Sequence, residues 1–312
     1  MDFRQLEYIL KVAEERSFSM AAQKLFIAQP SLSQYIQKIE LQLGVQLFDR
    51  SSTPLKLTYA GELYIETAKR ILDLKDQLYQ QIDDIANIKK GRVTIGLSPF
   101  RTTYIMPKVL PFFHNKFPGI EVILVEGPSK ELENLALKGT TDITIMTSPI
   151  QQNLFDFETI ISEEVLVALP PNHAIQKRID FKTNIKSTYP VIQLKEFRDE
   201  PFILLKKDQK LHKIATFLCE QAGFSPRIIL ESESIEAAHA LVTAGMGITF
   251  VPETLTTFHK TSAHPLYCSL EELKPTRDLV IAYRKGRYLS VAAREFISNT
   301  KAIFSKLEDT KI

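Results

Sequence analysis

The spacing of apolar positions divides the chain into a helical front and an alternating remainder. Phe3, Leu6, Ile9 (with Leu10) and Ala13 recur at three and four residues, the signature of one helix face, and predict a helix from about Phe3 to Glu14. Ser17-Phe18-Ser19 supplies two hydroxyl caps before a second helix, Met20-Ala21-Ala22-Gln23-Lys24-Leu25, whose alanine pair leaves room for a crossing helix. Pro30 disfavours helix just before it, and Ser31 is the expected cap of a third helix, with Leu32, Ile36, Ile39 and Leu43 as its buried stripe and Gly44 as its left-handed end. After residue 91 the pattern changes. Val93-Thr94-Ile95, Val122-Ile123-Leu124-Val125 and Ile143-Thr144-Ile145 alternate with helical stretches, which is α/β patterning. Lys89-Lys90-Gly91-Arg92 is the expected joint between the two parts.

Between them lies a stretch from Tyr59 to Ile88 with no proline and a single glycine, Gly61. Leu57, Tyr64, Ile71, Leu78 and Ile85 repeat every seven residues, and Ala60, Leu74 and Ile88 fill the second apolar position, with Thr67 and Gln81 interrupting. Thr58 is the expected cap. A helix of about 30 residues is about 45 Å long, more than a small neighbouring domain can cover. Residues 59–90 are therefore expected to dimerise, with Tyr64, Ile71, Leu74, Leu78 and Ile85 in the seam; packing against the chain's own C-terminal domain is the alternative.

The third helix carries Ser31, Gln34 and Lys38 on the face opposite its apolar stripe, flanked by Ser33 and Gln37. Two short helices with a tight turn, the second polar outside, read as helix-turn-helix, and Gln and Ser side chains there can bond base edges in a major groove. The segments Val45-Gln46-Leu47-Phe48 and Pro54-Leu55-Lys56-Leu57 flank a polar tip, Asp49-Arg50-Ser51-Ser52-Thr53, as in a β-wing from which Arg50 and Lys56 would reach phosphates. Charge alone does not decide this. The whole chain has 39 lysines and arginines against 37 acids, a net charge of +2. Between residues 20 and 58, Lys24, Lys38, Arg50 and Lys56 stand against Glu40 and Asp49.

What decides it is a match in order and spacing. Ser17-Phe18-Ser19, Ala21-Ala22, Leu25, Gln29-Pro30-Ser31, Ser33, Ile36, Ile39-Glu40, Leu43-Gly44, Leu47-Phe48, Arg50, Leu57-Thr58 and Ala60-Gly61 together resemble the winged helix-turn-helix of the LysR-type transcriptional regulators. Met20 departs from that pattern, which often has arginine there, and Ser51-Ser52-Thr53 lacks its usual extra basic residues. The resemblance continues through Gly91–Gly96 and Ser98, Ile105-Met106-Pro107, Phe112-Phe113, Phe117–Val122, Gly139, Asp142–Ile145, Pro201-Phe202-Ile203, Gly223–Pro226, Gly245–Ile248 and Pro252. Gln176 to Pro190 is longer than typical.

The resemblance implies an all-α winged helix-turn-helix over 1–58 followed by a linker helix. It also implies a C-terminal two-lobed α/β domain over 91–312, similar to periplasmic solute-binding proteins. Lobe I would use about 92–162 and 266–300, and lobe II about 163–265. Gln29, Pro30, Ser31, Ser33, Gln34, Lys38, Arg50 and Lys56 are the expected DNA contacts. The implied partners are double-stranded promoter DNA, a small-molecule effector, further copies of the chain as dimer or tetramer, and RNA polymerase.

A domain of that kind binds ligand between its lobes, beyond strand ends and at helix N-termini. With the first strand ending near Leu97 and the next helix starting about Thr102, Ser98, Arg101 and Thr102 are expected to hold an anion, most simply a carboxylate, with Phe100 also in the effector site. Ser129, Thr147 and Ser148 follow the next strands, and by resemblance Pro201, Phe202 and Ile203 form the opposite wall, with Phe202 closing over the ligand. Taken singly, each serine or threonine is as readily a helix cap.

Other classes fit less well. Gly96-Leu97-Ser98-Pro99-Phe100 misses the nucleophile elbow at its last position, Gly245-Met246-Gly247 is not a dinucleotide fingerprint, and no phosphate-binding GK[ST] loop occurs. The histidines at 114, 173, 212, 239, 259 and 264 form no metal-spaced pair, and Cys219 and Cys268 stand far apart. Neither enzyme nor cofactor is expected. Residues 92–300 alone would suit a solute-binding receptor, but the winged unit speaks against it. Met1-Asp2-Phe3-Arg4-Gln5-Leu6-Glu7 does not read as a signal peptide, and no apolar run approaches about 18 residues, so a cytoplasmic protein without a membrane span is expected.

Overall fold

The computed structural model describes residues 2–86, 91–177, 189–256, 265–271 and 275–309. It divides into two compact units, Met1–Ile88 and Lys89–Ile312. The joint at Lys89-Lys90 and most of the Gln176–Pro190 stretch lie outside the described residues.

The first unit comprises α1 (Phe3–Glu15), α2 (Phe18–Lys24), α3 (Gln29–Leu43), the two-residue strands β1 (Phe48–Asp49) and β2 (Lys56–Leu57), and α4 (Tyr59–Ala86). A capping box starts α1: Asp2 accepts from Arg4 N–H, and the Gln5 side chain accepts from Asp2 N–H. Ser17 caps α2. The helices bury Ile9, Val12, Ala21, Ala22, Leu32 and Ile36 against Leu47 and Phe48 of the wing.

In α3 two expectations fail. The helix begins at Gln29, with Pro30 and Ser31 inside its first turn and Ala28 making no side-chain cap. Proline is tolerated there because its missing N–H has no partner in a first turn anyway. Leu43 is 47% exposed, and the buried place near the helix end goes to Glu40. Gly44 does end the helix in the left-handed region, φ 70°.

The linker helix α4 has 28 residues. Thr58 caps it by accepting from Gly61 N–H at 3.0 Å. A Cβ on Gly61 would lie 2.0 Å from the Leu47 carbonyl oxygen, so the helix rests directly on the chain entering the wing. Tyr64 packs on the winged core, whereas Leu63, Leu74, Leu78, Tyr79 and Ile82 are exposed. Ile71 is half-buried, and the side chain of Ile85 lies outside the description.

The second unit begins with β3 (Gly91–Leu97), α5 (Pro99–Lys116), β4 (Ile120–Glu126), α6 (Ser129–Leu137) and β5 (Ile143–Thr147). The long strand β6 (Phe155–Leu169) then runs out of this lobe into a second one. There the chain forms β7 (Val191–Ile192), β8 (Pro201–Leu205), α7 (Lys210–Gln221), β9 (Arg227–Ser232), α8 (Ile235–Thr243), β10 (Thr249–Pro252), α9 (Glu253–Thr256) and β11 (Leu266–Leu270). It returns through β12 (Thr276–Arg284) and ends in α10 (Val291–Asp309).

In the first lobe β3 lies parallel between β4 and β5, while β12 runs antiparallel to both β5 and the first two-thirds of β6. The last third of β6 pairs with β10 and β11. Each lobe has its own apolar core, one around Val93, Ile95, Phe113 and Phe296, the other around Val167, Phe202, Leu218 and Phe250. The return to lobe I comes later than residue 266. β11 pairs with Val167, Ala168 and Leu169 and buries Cys268 in the second core, so Leu266–Leu270 packs with lobe II. Among the described residues no helix is long and apolar enough to cross a membrane.

Candidate effector cleft and nucleic-acid face

A cavity of about 950 Å³ opens between the two lobes. Four helices begin on its wall: α5 at Ser98–Arg101, α6 at Pro128 and Ser129, α7 at Gln209 and Lys210, and α8 at Ser234 and Ile235. Each helix N-terminus carries about half a positive charge. Ser98 caps α5 by accepting from Arg101 N–H at 3.4 Å, and Ser234 caps α8 by accepting from Ala237 N–H at 3.1 Å. Pro128 and Gln209 make no side-chain cap, so first-turn amides of α6 and α7 are left for other acceptors.

Two arginines of the cavity's lining, Arg101 and Arg277, belong to a buried charge cluster. Glu163 Oε1 accepts from Arg101 Nη2 and, at 2.8 Å, from Arg277 Nε. Its Oε2 accepts from Arg101 Nη1 at 3.1 Å and from the Thr254 hydroxyl. Arg277 faces Glu163 directly across the β12–β6 pair. The side chains of Arg101, Glu163 and Arg277 are 4%, 1% and 6% exposed, so two guanidinium charges share one carboxylate away from water. Burial alone would push Glu163 up, but the charges of Arg101 and Arg277 and the bonds from Arg101 and Thr254 outweigh it and hold the carboxyl at about 2. Lys210, from lobe II, donates to the carbonyls of Thr147 at 2.7 Å and Pro149 at 2.9 Å in lobe I and lies 3.5 Å from Glu133. Burial lowers its pKa, against the pull of Glu133.

Of the expected ligand residues, Ser98, Phe100, Arg101, Ser129 and Thr147 line this cavity. Thr102 does not. Pro99 starts α5 about three residues earlier than expected, which turns Thr102 onto a different surface beside Met106, Pro107 and Leu110, with its hydroxyl on the Ser98 carbonyl. Ser148 accepts from Asp278 N–H at 3.2 Å and serves the strand pairing. Pro201, Phe202 and Ile203 do not line the cavity either. Phe202 is fully buried, stacked on Phe250 at 6.1 Å, and cannot close over a ligand. It is the carboxyl end of β8, Leu205, that reaches the crevice. Arg101 lies in the first turn of α5, its buried guanidinium sharing Glu163 with Arg277.

Glu163, Arg277, Lys210 and Thr254 escaped the sequence reading. The signal was present: Glu163 interrupts Ile160-Ile161…Val165-Leu166-Val167, and Arg277 opens the run Leu279-Val280-Ile281. A charge within a buried strand requires a partner.

In the N-terminal unit Gln29, Pro30, Ser31, Gln34 and Lys38 are exposed on α3, and Ser33 is half-buried. Arg50 is engaged: it donates to Glu40 at 2.9 Å and to Ser33 at 3.4 Å, and its guanidinium lies 5.1 Å from the Phe18 ring centre. Glu40 in turn accepts from Leu47 and Phe48 N–H, which ties the wing to α3. Asp49 takes up the hydroxyls of Ser51 and Ser52, and those bonds draw its carboxyl down to about 2. Lys56 is exposed on β2. Cys219 and Cys268 are buried, their thiols pushed up to about 12 by burial, and among the described residues no acid, histidine and cysteine cluster could hold a metal.

The charge cluster makes a stability prediction. The folded pKa of Glu163 lies below its ordinary 4.5, so its stabilising contribution is complete above pH 4.5 and is lost as pH falls from there towards 2. Glu163→Gln leaves two buried guanidiniums without a counter-charge and is expected to cost about 3–5 kcal/mol at neutral pH. Its difference from wild type should shrink below pH 4.5. Thermal unfolding across that range measures it, and equal midpoints at pH 7 would refute the cluster's role.

Comparison with known proteins agrees with this architecture. Residues 86–304 match the LysR substrate binding domain, and residues 3–62 match the bacterial regulatory helix-turn-helix protein, lysR family. The uncharacterized HTH-type transcriptional regulator YwbI of Bacillus subtilis is 33% identical over 315 aligned positions, covering 100% of both chains. The transcriptional dual regulator GltC of the same organism is 30% identical, covering 99% of both. The fold matches that of CbnR, a structure solved with its target DNA, at TM-score 0.67, with 22% identity over 97% of this chain and 100% of that one. With both of its domains matched in chain order, this protein belongs to the LysR family of DNA-binding, effector-responsive transcriptional regulators.

Proposed function

We propose that the protein is a cytoplasmic regulator that reads duplex DNA with the exposed face of α3, pairs with a second copy along α4, and responds to a small anion in its interlobe cleft. The observation that carries the anion reading is the charge imbalance in the cavity's lining. Two buried guanidiniums share one carboxylate where four helix N-termini converge. A bound anion would offset that excess. Ser98, Phe100, Arg101, Ser129 and Thr147 remain ligand candidates, joined by Arg277 and Lys210.

The ligand can act only by preferring one arrangement of the lobes. Lys210 bridges the lobes now, so an anion that draws its ammonium away from the Thr147 and Pro149 carbonyls would change what holds them together. The direct test is retention of genomic fragments by purified full-length protein, with and without small carboxylates. Selective retention of a few fragments, altered by a carboxylate but not by its amide, supports the reading; uniform retention contradicts it.

On DNA, Gln34 and Ser31 would read base edges, and Lys38 and Lys56 would meet phosphates; Gln29 and Pro30 are exposed in the first turn beside them, and Ser33 accepts from Arg50. Arg50 braces the wing against Glu40 while remaining near the surface. Gln34→Ala is expected to cost about 1–3 kcal/mol on the selected fragment and little on random DNA. Lys56→Ala should weaken both alike and lower the salt slope by about 1. Fluorescence anisotropy on the two DNAs measures it; equal losses for both variants on both DNAs would remove Gln34 from base readout.

For the dimer, exposed Leu74 and Leu78 are the central seam residues. Replacing both by aspartate places paired charges in an apolar interface and should lower the mass of the assembly. Light scattering that reports an unchanged mass with an intact fold would place the seam elsewhere.

A further inference from the structure

Glu163 is fully subscribed. Its two carboxylate oxygens accept from Arg101 Nη1 and Nη2, from Arg277 Nε and from the Thr254 hydroxyl. Arg101 therefore spends its paired Nη groups on Glu163, whereas Arg277 spends only Nε. Among the described residues, Nη1 and Nη2 of Arg277 have no hydrogen-bond partner, although the side chain is 6% exposed and lines the cavity. Neither Nη group is among the fully buried, unpartnered polar atoms, so both reach the cavity and are the donors Arg277 presents to a ligand there. The edge left open is the one that pairs with a planar, two-oxygen anion through parallel N–H···O bonds. Beyond it the cavity wall includes Ile145, Leu205, Leu211 and Ile235, which are apolar.

We infer that Arg277 is the specificity-determining residue of the cleft, its Nη1 and Nη2 gripping the carboxylate of a small amphipathic acid whose apolar body lies against Ile145, Leu205, Leu211 and Ile235. This rests on the reading of the cleft as an anion site. Glu163 is then a positioning residue: by holding Nε it fixes the plane of the guanidinium and turns the Nη edge to the cavity. Arg101 supplies charge but no free fork. The rotation is built into the fold, because Glu163 and Arg277 are cross-strand partners on the two strands that join the lobes.

The arrangement also separates binding from folding. Removing Arg277 leaves Arg101 and Glu163 as a one-to-one pair, whereas removing Glu163 leaves two like charges. Arg277→Met is therefore expected to fold, and its wild-type-like far-ultraviolet circular dichroism and cooperative melting check that.

The test is calorimetric titration of the full-length protein, at constant ionic strength, with hexanoate, cyclohexanecarboxylate and phenylacetate, and with the corresponding amides. For the wild type at least one acid should bind about 10- to 150-fold more tightly than its amide, the range that corresponds to a charged hydrogen bond. Arg277→Met should lose that preference for acid over amide. Arg277→Lys, which restores the charge without the fork, should recover only part of it. Thr102→Val, on another surface, should leave it unchanged. If no acid outbinds its amide in the wild type, the anion reading falls and this inference with it. If the preference is present and survives intact in folded Arg277→Met, the inference alone is overturned. Full recovery in Arg277→Lys would replace the fork by a simple point charge and equally overturn it.

Discussion

The proposed anion site of the C-terminal domain turns on one buried carboxylate. Glu163 sits on the strand that passes from one lobe to the other, and its partners come from both sides: Arg101 from the first helix of lobe I, Thr254 from lobe II, and Arg277 from the returning strand. A carboxylate taken out of water is expensive, and four donors are what make this one stable as an anion. Because those donors include two guanidiniums, the solution over-compensates. The fold stores a positive charge in the lining of its crevice, where helix N-termini already favour anions.

The same economy appears in the N-terminal unit with a different outcome. Glu40 is buried and satisfied by Arg50 and by two amides of the wing strand, one carboxylate against one guanidinium. No excess charge remains there, and the pair acts as a brace between α3 and the wing. The polar face of α3 and Lys56 stay exposed, the surface proposed to meet DNA, with Asp49 holding the wing-tip hydroxyls. Such a head is only mildly basic, so on the proposed reading more of its discrimination would fall to side chains such as Gln34 than to phosphate attraction.

The elements were legible in the sequence wherever a periodic stripe or a cap governs them. Leu32, Ile36 and Ile39 read as a buried face, Ser17 and Thr58 as caps, and Leu97 as the end of the first strand of the C-terminal domain, all as observed. Errors arose where a proline begins a helix instead of stopping it. Pro30 and Pro99 each moved a start by about one turn or less, which made Ser31 an interior residue and carried Thr102 out of the cleft. Phe202 was misplaced because an apolar strand looks the same whether it lines a crevice or a core; only the direction of β8 decides that Leu205 reaches the opening. Glu163 and Arg277 were missed for a different reason. They lie 114 positions apart, and no local pattern can pair them. Each could have been noted as a charge in a strand that the apolar pattern buries.

The central claim is that the stored charge receives a carboxylate at Arg277. The most direct measurement is a crystal structure grown with 4-bromophenylacetate, in which anomalous scattering locates the bromine independently of the carboxylate density. The account predicts the carboxylate within hydrogen-bond distance of Arg277 Nη1 and Nη2 and the bromine among the apolar side chains of the cleft. Bromine sites confined to the protein surface, or a ligand in the cleft with its carboxylate turned away from Arg277, would contradict it.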